Sequence, residues 1–217
     1  MWLKAPINEN GKMSGGKKNK IGTPQGGVIS PLLANIYLHL LDKLINNVKK
    51  IYAKGGVKIE RYADDYVLMG KQITVEMMTL MKALLNRMEL KINEEKSKIV
   101  NAVKEPFNFL GFTFRYDKDL KGRSRKYWII FPAEKNQKKV RENIKSSLKT
   151  KGHYSPDKIS KELNSITRGW INYYDTPKVS YAAIATRKLR YFLMDRIARY
   201  FRRKSQRGSK LYGGKAY

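Results

Sequence analysis

Cysteine is absent from the 217 residues. That excludes disulfides and cysteine-ligated zinc, and it fits a reducing compartment. Histidine is almost as scarce. His39 and His153 are far apart, neither stands in a metal-ligand spacing, and no Ser–His–Asp or Cys–His arrangement can be assembled. Hydrolase chemistry of that kind therefore has no residues to stand on. No apolar run nears the roughly 20 residues of a membrane span. The first residues, MWLKAPINENGKMSGGKKNK, hold no apolar signal segment, and no repeat recurs at solenoid periods. The chain reads as soluble, cytoplasmic and not membrane-bound.

Acidic residues are few as well: 18 Asp and Glu against 46 Lys and Arg, a net charge of +28. The excess is uneven. Residues 1–115 carry 19 basic and 10 acidic side chains, and residues 116–217 carry 27 and 8. A surface kept basic for solubility alone would mix both signs more evenly. A self-repelling excess of this size points to a polyanion, and nucleic acid is the natural partner.

Residues 8–20 have turn chemistry and read as an exposed hairpin or loop. In the stretch that follows, Ser30 suits an N-cap and Pro31 a first helical position. Leu32, Ile36 and Leu40 recur every four residues, with Leu33, Leu41 and Leu44 beside them, and Gly55 and Gly56 close the helix. Residues 57–62 and 66–69 alternate as two strands joined at 63–65. A second helix is expected from Thr74 to Met88, with Met77, Leu80, Met81, Leu84 and Leu85 on one side. Short strands are expected at 97–101, 107–116 and 126–131. After Ala133 come three helical patterns. In the last, Leu189, Leu193, Ile197 and Phe201 repeat every four residues, while Arg190, Arg196, Arg199, Arg202 and Arg203 fall mostly on other faces. The fold class is α+β followed by a helical region, with a boundary near 116–134.

Four short stretches could carry chemistry. In RYADDYVLMG (61–70), Asp64 and Asp65 sit side by side in strand-like sequence. Strand alternation would bury one of them. At a tight hairpin tip the alternation relaxes, so one or both carboxylates could instead face a shared cleft and hold Mg²⁺, which needs only one or two carboxylates plus phosphates. A hydrated Asp–Asp turn is the plainer reading of those letters alone. GTPQGG (22–27) allows close backbone approach to a ligand, with Gln25 able to bond a nucleotide edge. A Gly/Pro turn feeding a helix is the better reading of a lone Gly-rich loop. NFLGFTF (108–114) is an aromatic strand with Gly111 inside, the mark of a bulge or a close approach. RGWINYY (168–174) places Trp170, Tyr173 and Tyr174 beside Arg168. That mixture suits RNA, while helical spacing more often puts Trp170 and Tyr173 in a core.

Taken in order, WLKAP, GTPQGGVISPLLANIYL, RYADDYVLM, INEEKSKIV, FNFLGFTF and RGWINYY resemble the C-terminal part of the group II intron reverse transcriptase/maturase family. The resemblance covers nearly the whole chain. It implies a partial right-hand polymerase palm over 1–115 (helix, YADD hairpin, helix, short antiparallel strands), a basic linker and strand region at 116–134, and a maturase-specific helical thumb over 135–217. It also implies roles. Asp64 and Asp65 become the catalytic, metal-binding carboxylates, with two Mg²⁺ ions in the complete enzyme. Tyr62 lies against the primer end, Gln25 and Gly26 line the template and nucleotide pocket, and Lys96 faces the incoming phosphates. Leu110 and Gly111 belong to the primer grip. Arg168, Trp170, Arg190, Arg199, Arg202 and Arg203 contact RNA. The implied partners are intron or template RNA, a DNA primer and dNTPs.

The family's site also uses an aspartate on a palm strand well before GTPQGG. Here Glu9 is the sole acid before Gly22, so the expectation is an RNA-directed DNA polymerase fragment, inactive alone: a gene fragment, the product of a late start codon, or one piece of a split enzyme whose partner is a fingers-and-palm polypeptide. An HNH-type endonuclease, with its cysteine ligands, is not expected. The alternative is an RNA-binding splicing maturase remnant that does not polymerise.

Overall fold

The computed structural model describes residues 6–9, 12–15, 28–47, 56–118, 125–151 and 153–204. The chain divides into two compact units, Met1–Lys98 and Ile99–Tyr217. Each is a mixture of helices with small antiparallel sheets.

In the first unit, β1 (Pro6–Glu9) and β2 (Lys12–Gly15) form a hairpin. Helix α1 (Ser30–Asn47) is followed by strands β3 (Lys58–Tyr62) and β4 (Asp65–Met69), then by α2 (Val75–Arg87). Thr74 caps α2, its hydroxyl accepting from the Met77 amide at 3.3 Å. Met77, Met81 and Leu85 repeat every four residues and are buried. Leu41 and Ile45 of α1, Ile59 of β3, and Met81 and Leu85 of α2 make the core, with Tyr66 and Leu68 against it. The Tyr37 hydroxyl donates to the Met88 carbonyl at 2.6 Å, joining α1 to the end of α2.

The stripe that suggested α1 is not the one it buries. Leu32, Ile36 and Leu40 are more than half exposed, because the helix is apolar on two faces and Leu41 and Ile45 supply the buried one. Gly55 lies outside the described residues.

The second unit holds a three-stranded meander and three helices. The strands are β5 (Phe107–Phe109), β6 (Phe112–Lys118) and β7 (Lys126–Pro132). The helices are α3 (Glu134–Thr150), α4 (Pro156–Tyr174) and α5 (Ala183–Lys204). Ser155 caps α4 and Pro156 occupies its first turn. Val140 and Ile144 of α3, Ile159 and Leu163 of α4, and Leu189 of α5 form the helical core.

Two strand expectations change. Residues 97–101 form no strand. Residues 107–116 are not one strand but two, because Leu110 (φ 48°) and Gly111 (φ 82°) both take left-handed backbone. Two consecutive positive φ values are what a type I′ hairpin requires. Phe109 accordingly pairs with Phe112 across the turn. The contact division at Lys98 and Ile99 also falls earlier than the change of texture near 116–134, since these strands join the helices that follow them.

Candidate functional site

Register fixes the carboxylate turn. Tyr62 pairs with Asp65, leaving Ala63 and Asp64 as a two-residue loop. Ala63 takes φ 54°, the positive first position of a type II′ turn. Ile59 pairs with Leu68 and Arg61 with Tyr66 on the face toward the core, so Tyr62 and Asp65 share the opposite face. Both aspartates are exposed, so the burial that alternation suggested for one of them does not occur. Asp64 lies in the turn, and Asp65 opens β4 on the outer face.

Arg61 holds this turn from beneath. Its Nε donates to Asp42 Oδ1 at 3.0 Å, and one Nη donates to Oδ2 at 2.6 Å. The other Nη donates to Asn35 Oδ1 and to the Ala63 carbonyl, both at 2.9 Å. The Arg61 side chain is only 9% exposed. Its hydrogen bonds to Asp42 raise the guanidinium pKa above its ordinary value, so it stays charged. Sequence reasoning gave Asp42 no role. The available signal was parity: Arg61 falls on the core face, and a cation there needs a carboxylate partner.

Neither the Asp64 nor the Asp65 carboxylate has a hydrogen-bond or ion-pair partner among the described residues. Two uncommitted, exposed carboxylates fit the hard oxygen donors that Mg²⁺ prefers. No group of three or more His, Cys, Asp or Glu side chains suited to a metal gathers among the described residues. Lys96 is exposed in a turn after α2, its amide bonded to Asn93 Oδ1 at 3.2 Å. Gln25 and Gly26 lie outside the described residues.

In the second unit the hairpin turn at Leu110 and Gly111 is held by two helices. The Tyr173 hydroxyl donates to the Leu110 carbonyl at 2.9 Å. The Gly111 carbonyl accepts from the Ala133 amide at 2.9 Å and from Asn136 Nδ2 at 3.1 Å. Phe112 meets Tyr173 at 5.7 Å and Tyr174 at 5.0 Å, ring centroid to centroid. Burial pushes the Tyr174 phenol pKa up. A Cβ on Gly111 would come within 2.7 Å of both Asn136 Nδ2 and the Tyr174 hydroxyl. NFLGFTF and RGWINYY, 60 residues apart as written, thus meet at one turn. Nothing in the sequence singled out Asn136.

Arg168 is exposed on α4, whereas Trp170 is half-buried against Tyr174 and the helical core. Arg190, Arg199, Arg202 and Arg203 are exposed along α5. Arg199 pairs with Asp195 at 2.9 Å, while Arg196 turns over the Phe192 ring at 5.2 Å. Among the described residues no helix is long and apolar enough to cross a membrane.

Residues 1–114 match the family described as reverse transcriptase (RNA-dependent DNA polymerase), and residues 137–215 match the group II intron maturase-specific domain. The chain is similar to the group II intron-encoded protein LtrA of Lactococcus lactis subsp. cremoris. The two are 36% identical over 99 residues, 46% of this chain and 14% of that protein. It is also similar to an uncharacterized 91 kDa protein in the cob intron of Schizosaccharomyces pombe, 26% identical over 73% of this chain and 28% of that protein. Protein YkfC of Escherichia coli is 31% identical over 42% of this chain and 31% of its own length. The chain therefore spans a third or less of each of these relatives.

Gly111→Ala combines a disfavoured φ with a clash from two sides. It should destabilise the second unit by about 1–3 kcal/mol, read as a lower urea midpoint by the fluorescence of Trp128 and Trp170. An unchanged midpoint would mean the turn yields freely. Arg61→Ala should cost about 1–3 kcal/mol by leaving Asp42 and the Ala63 carbonyl without their donor. Hydrogen exchange should then speed up selectively in β3 and β4, and unaltered exchange there would remove Arg61 as the hairpin's anchor.

Proposed function

The chain belongs to the reverse transcriptase (RNA-dependent DNA polymerase) family, and on that premise we propose that it supplies the carboxylate turn and the RNA-holding thumb of an RNA-directed DNA polymerase. The observation that carries this reading is the pair of exposed, uncommitted aspartates on a turn anchored through Arg61. Asp64 and Asp65 would hold Mg²⁺, two ions in the complete enzyme. When bound, the metal offsets the charge that gathers on phosphate oxygens during nucleotidyl transfer. Tyr62, on the same face as Asp65, would lie against the primer end. Gln25 and Gly26 would border the template and the dNTP, and Lys96 would meet its phosphates.

The turn at Leu110 and Gly111 would grip the DNA primer by its backbone. Its carbonyls are taken up by Tyr173, Ala133 and Asn136, so the turn would present a fixed surface to a strand. Arg168, Arg190, Arg199, Arg202 and Arg203 would contact RNA phosphates. Trp170 would support that surface from the core side rather than stack on a base. Two carboxylates make an incomplete two-metal site, so polymerisation would require at least one further carboxylate beyond this pair. The chain alone would bind RNA without extending a primer.

A second reading is an RNA-binding splicing maturase that never polymerises. The match to the maturase-specific domain and the concentration of positive charge beyond residue 115 favour it.

Primer extension on an RNA template with Mg²⁺ and dNTPs separates the two. It would compare the chain, the chain mixed with a separately expressed fingers-and-palm fragment, and the same mixture carrying Asp64→Ala. Extension should occur only in the mixture and fall by orders of magnitude with Asp64→Ala. Undiminished synthesis in the Asp64→Ala mixture would remove the turn from catalysis, and no synthesis anywhere would favour the maturase reading. RNA binding itself should depend steeply on salt. With about six to ten phosphates contacted, affinity should drop about 10³–10⁵-fold between about 50 and 200 mM salt. A flat response would sink the basic helical surface as the RNA site.

A further inference from the structure

The second unit has a cleft that none of these roles uses. It lies where the sheet face carrying Asn108, Thr113 and Phe131 meets α3 and α5, and its volume is about 570 Å³. That is within the range of small-ligand pockets. It sits on the other side of the sheet from Phe112, the residue that packs on Tyr173 and Tyr174, because side chains alternate along β6.

The lining chemistry is specific. Phe131 and Pro106 supply its apolar lining, and the Arg115 guanidinium lies over the Phe131 ring at 5.6 Å from the centroid. Asn108 Oδ1 accepts from the Thr113 hydroxyl at 2.7 Å, which leaves Asn108 Nδ2 as a donor. Gln137 spends its amide on the Pro132 carbonyl at 2.7 Å and keeps its own oxygen as an acceptor. A fixed donor and a fixed acceptor beside an aromatic ring are what a nucleobase edge and face require.

Lys135, Arg141 and Lys188 add three cations. Lys135 and Lys188 are exposed and have no ion-pair partner among the described residues. The one acid in the lining, Glu134, is already engaged by Lys138 at 3.0 Å. The hydrogen bond from Lys138, with a smaller contribution from Arg141, keeps Glu134 below the usual carboxylate range, so the lining carries one negative charge against its three cations.

We propose that this cleft receives one unpaired nucleotide of a bound RNA strand, its base against Phe131 and Pro106 and its flanking phosphates at Lys135, Arg141 and Lys188. The proposal deepens the RNA-binding reading above and rests on it. A single base fits a pocket of this size and a duplex does not, so the cleft favours strands with unpaired or extruded nucleotides. A free mononucleotide shares the same chemistry and is the other source to separate.

The test is fluorescence anisotropy with the full 217-residue chain at fixed salt. The probes are an eight-nucleotide unstructured RNA and a strand of the same length built from abasic ribose phosphates. The wild-type chain should bind the base-bearing strand about tenfold tighter or more, the scale of one base stacked on an aromatic ring. In the K135E/K188E double variant, both positions being exposed, that preference should collapse toward unity. Phe131→Leu, which keeps the apolar filling but removes the ring, should reduce it as well. Circular dichroism melts would verify folding, and K149E/K161E, reversed away from the cleft, should weaken both strands equally and leave the preference intact.

Equal binding of the two strands by the wild-type chain would overturn the cleft assignment while leaving RNA binding standing. So would a preference that survives in both cleft variants. Displacement of the strand by uridine monophosphate at concentrations comparable to strand nucleotides would assign the cleft to free nucleotides instead. Failure of the wild-type chain to bind either strand would sink the RNA reading and the cleft together.

Discussion

The second unit depends on what becomes of two peptide carbonyls. A two-residue hairpin turn ordinarily leaves its carbonyls to water, and here both are taken up by protein donors: Leu110 by the Tyr173 hydroxyl, Gly111 by Asn136 and the Ala133 amide. These bonds come from the start of α3 and the end of α4, so one turn fixes the sheet against two helices. The helices could not close in on a turn with a side chain at its second position, since a Cβ on Gly111 would collide with Asn136 and Tyr174. Phe112, stacked on Tyr173 and edge-to-face with Tyr174, then adds apolar contact to the polar clasp. A hairpin that met a nucleic-acid strand from such a mount would resist the strand's pull through both helices.

How much of this was legible depends on which interactions are local. The cap at Thr74 and the buried repeat of Met77, Met81 and Leu85 follow from spacing alone, and α2 forms where the pattern put it. The hairpin at 62–65 was readable to within a residue, since alternation sets the strands. What alternation could not supply was positive φ at an alanine and a leucine. Ala63 and Leu110 adopt it with their own carbonyls held by side chains, from Arg61 two residues back and from Tyr173 on α4. For that reason 107–116 read as one strand, with Gly111 as its only visible flaw.

The aromatic motifs were equally two-sided in sequence. RGWINYY shows its composition openly, but whether a ring faces solvent or core is a tertiary question. Tyr174 is buried, Trp170 half-buried and Tyr173 half-exposed with its hydroxyl engaged. The basic face of α5 was readable because Leu189, Leu193, Ile197 and Phe201 define the opposite side. The cleft beside Phe131 was not, since Asn108, Gln137 and Lys188 come from three elements with no spacing to join them.

The carboxylate turn raises a problem of charge that the first unit resolves geometrically. In a chain of net charge +28, two adjacent exposed aspartates ought to attract the nearest cation. Arg61 is three residues from Asp64 and would be the obvious partner. It is instead satisfied elsewhere: its Nε and one Nη bond Asp42, and its other Nη bonds Asn35 and the Ala63 carbonyl. A guanidinium has five N–H donors, and these contacts use four. Asp42 thus keeps Arg61 away from the aspartates while Arg61 fixes the turn that presents them. The two carboxylates on the turn are left exposed and without a partner among the described residues, hard oxygen donors of the kind Mg²⁺ prefers. Without Asp42, Arg61 would have free N–H donors with which to pair those carboxylates itself.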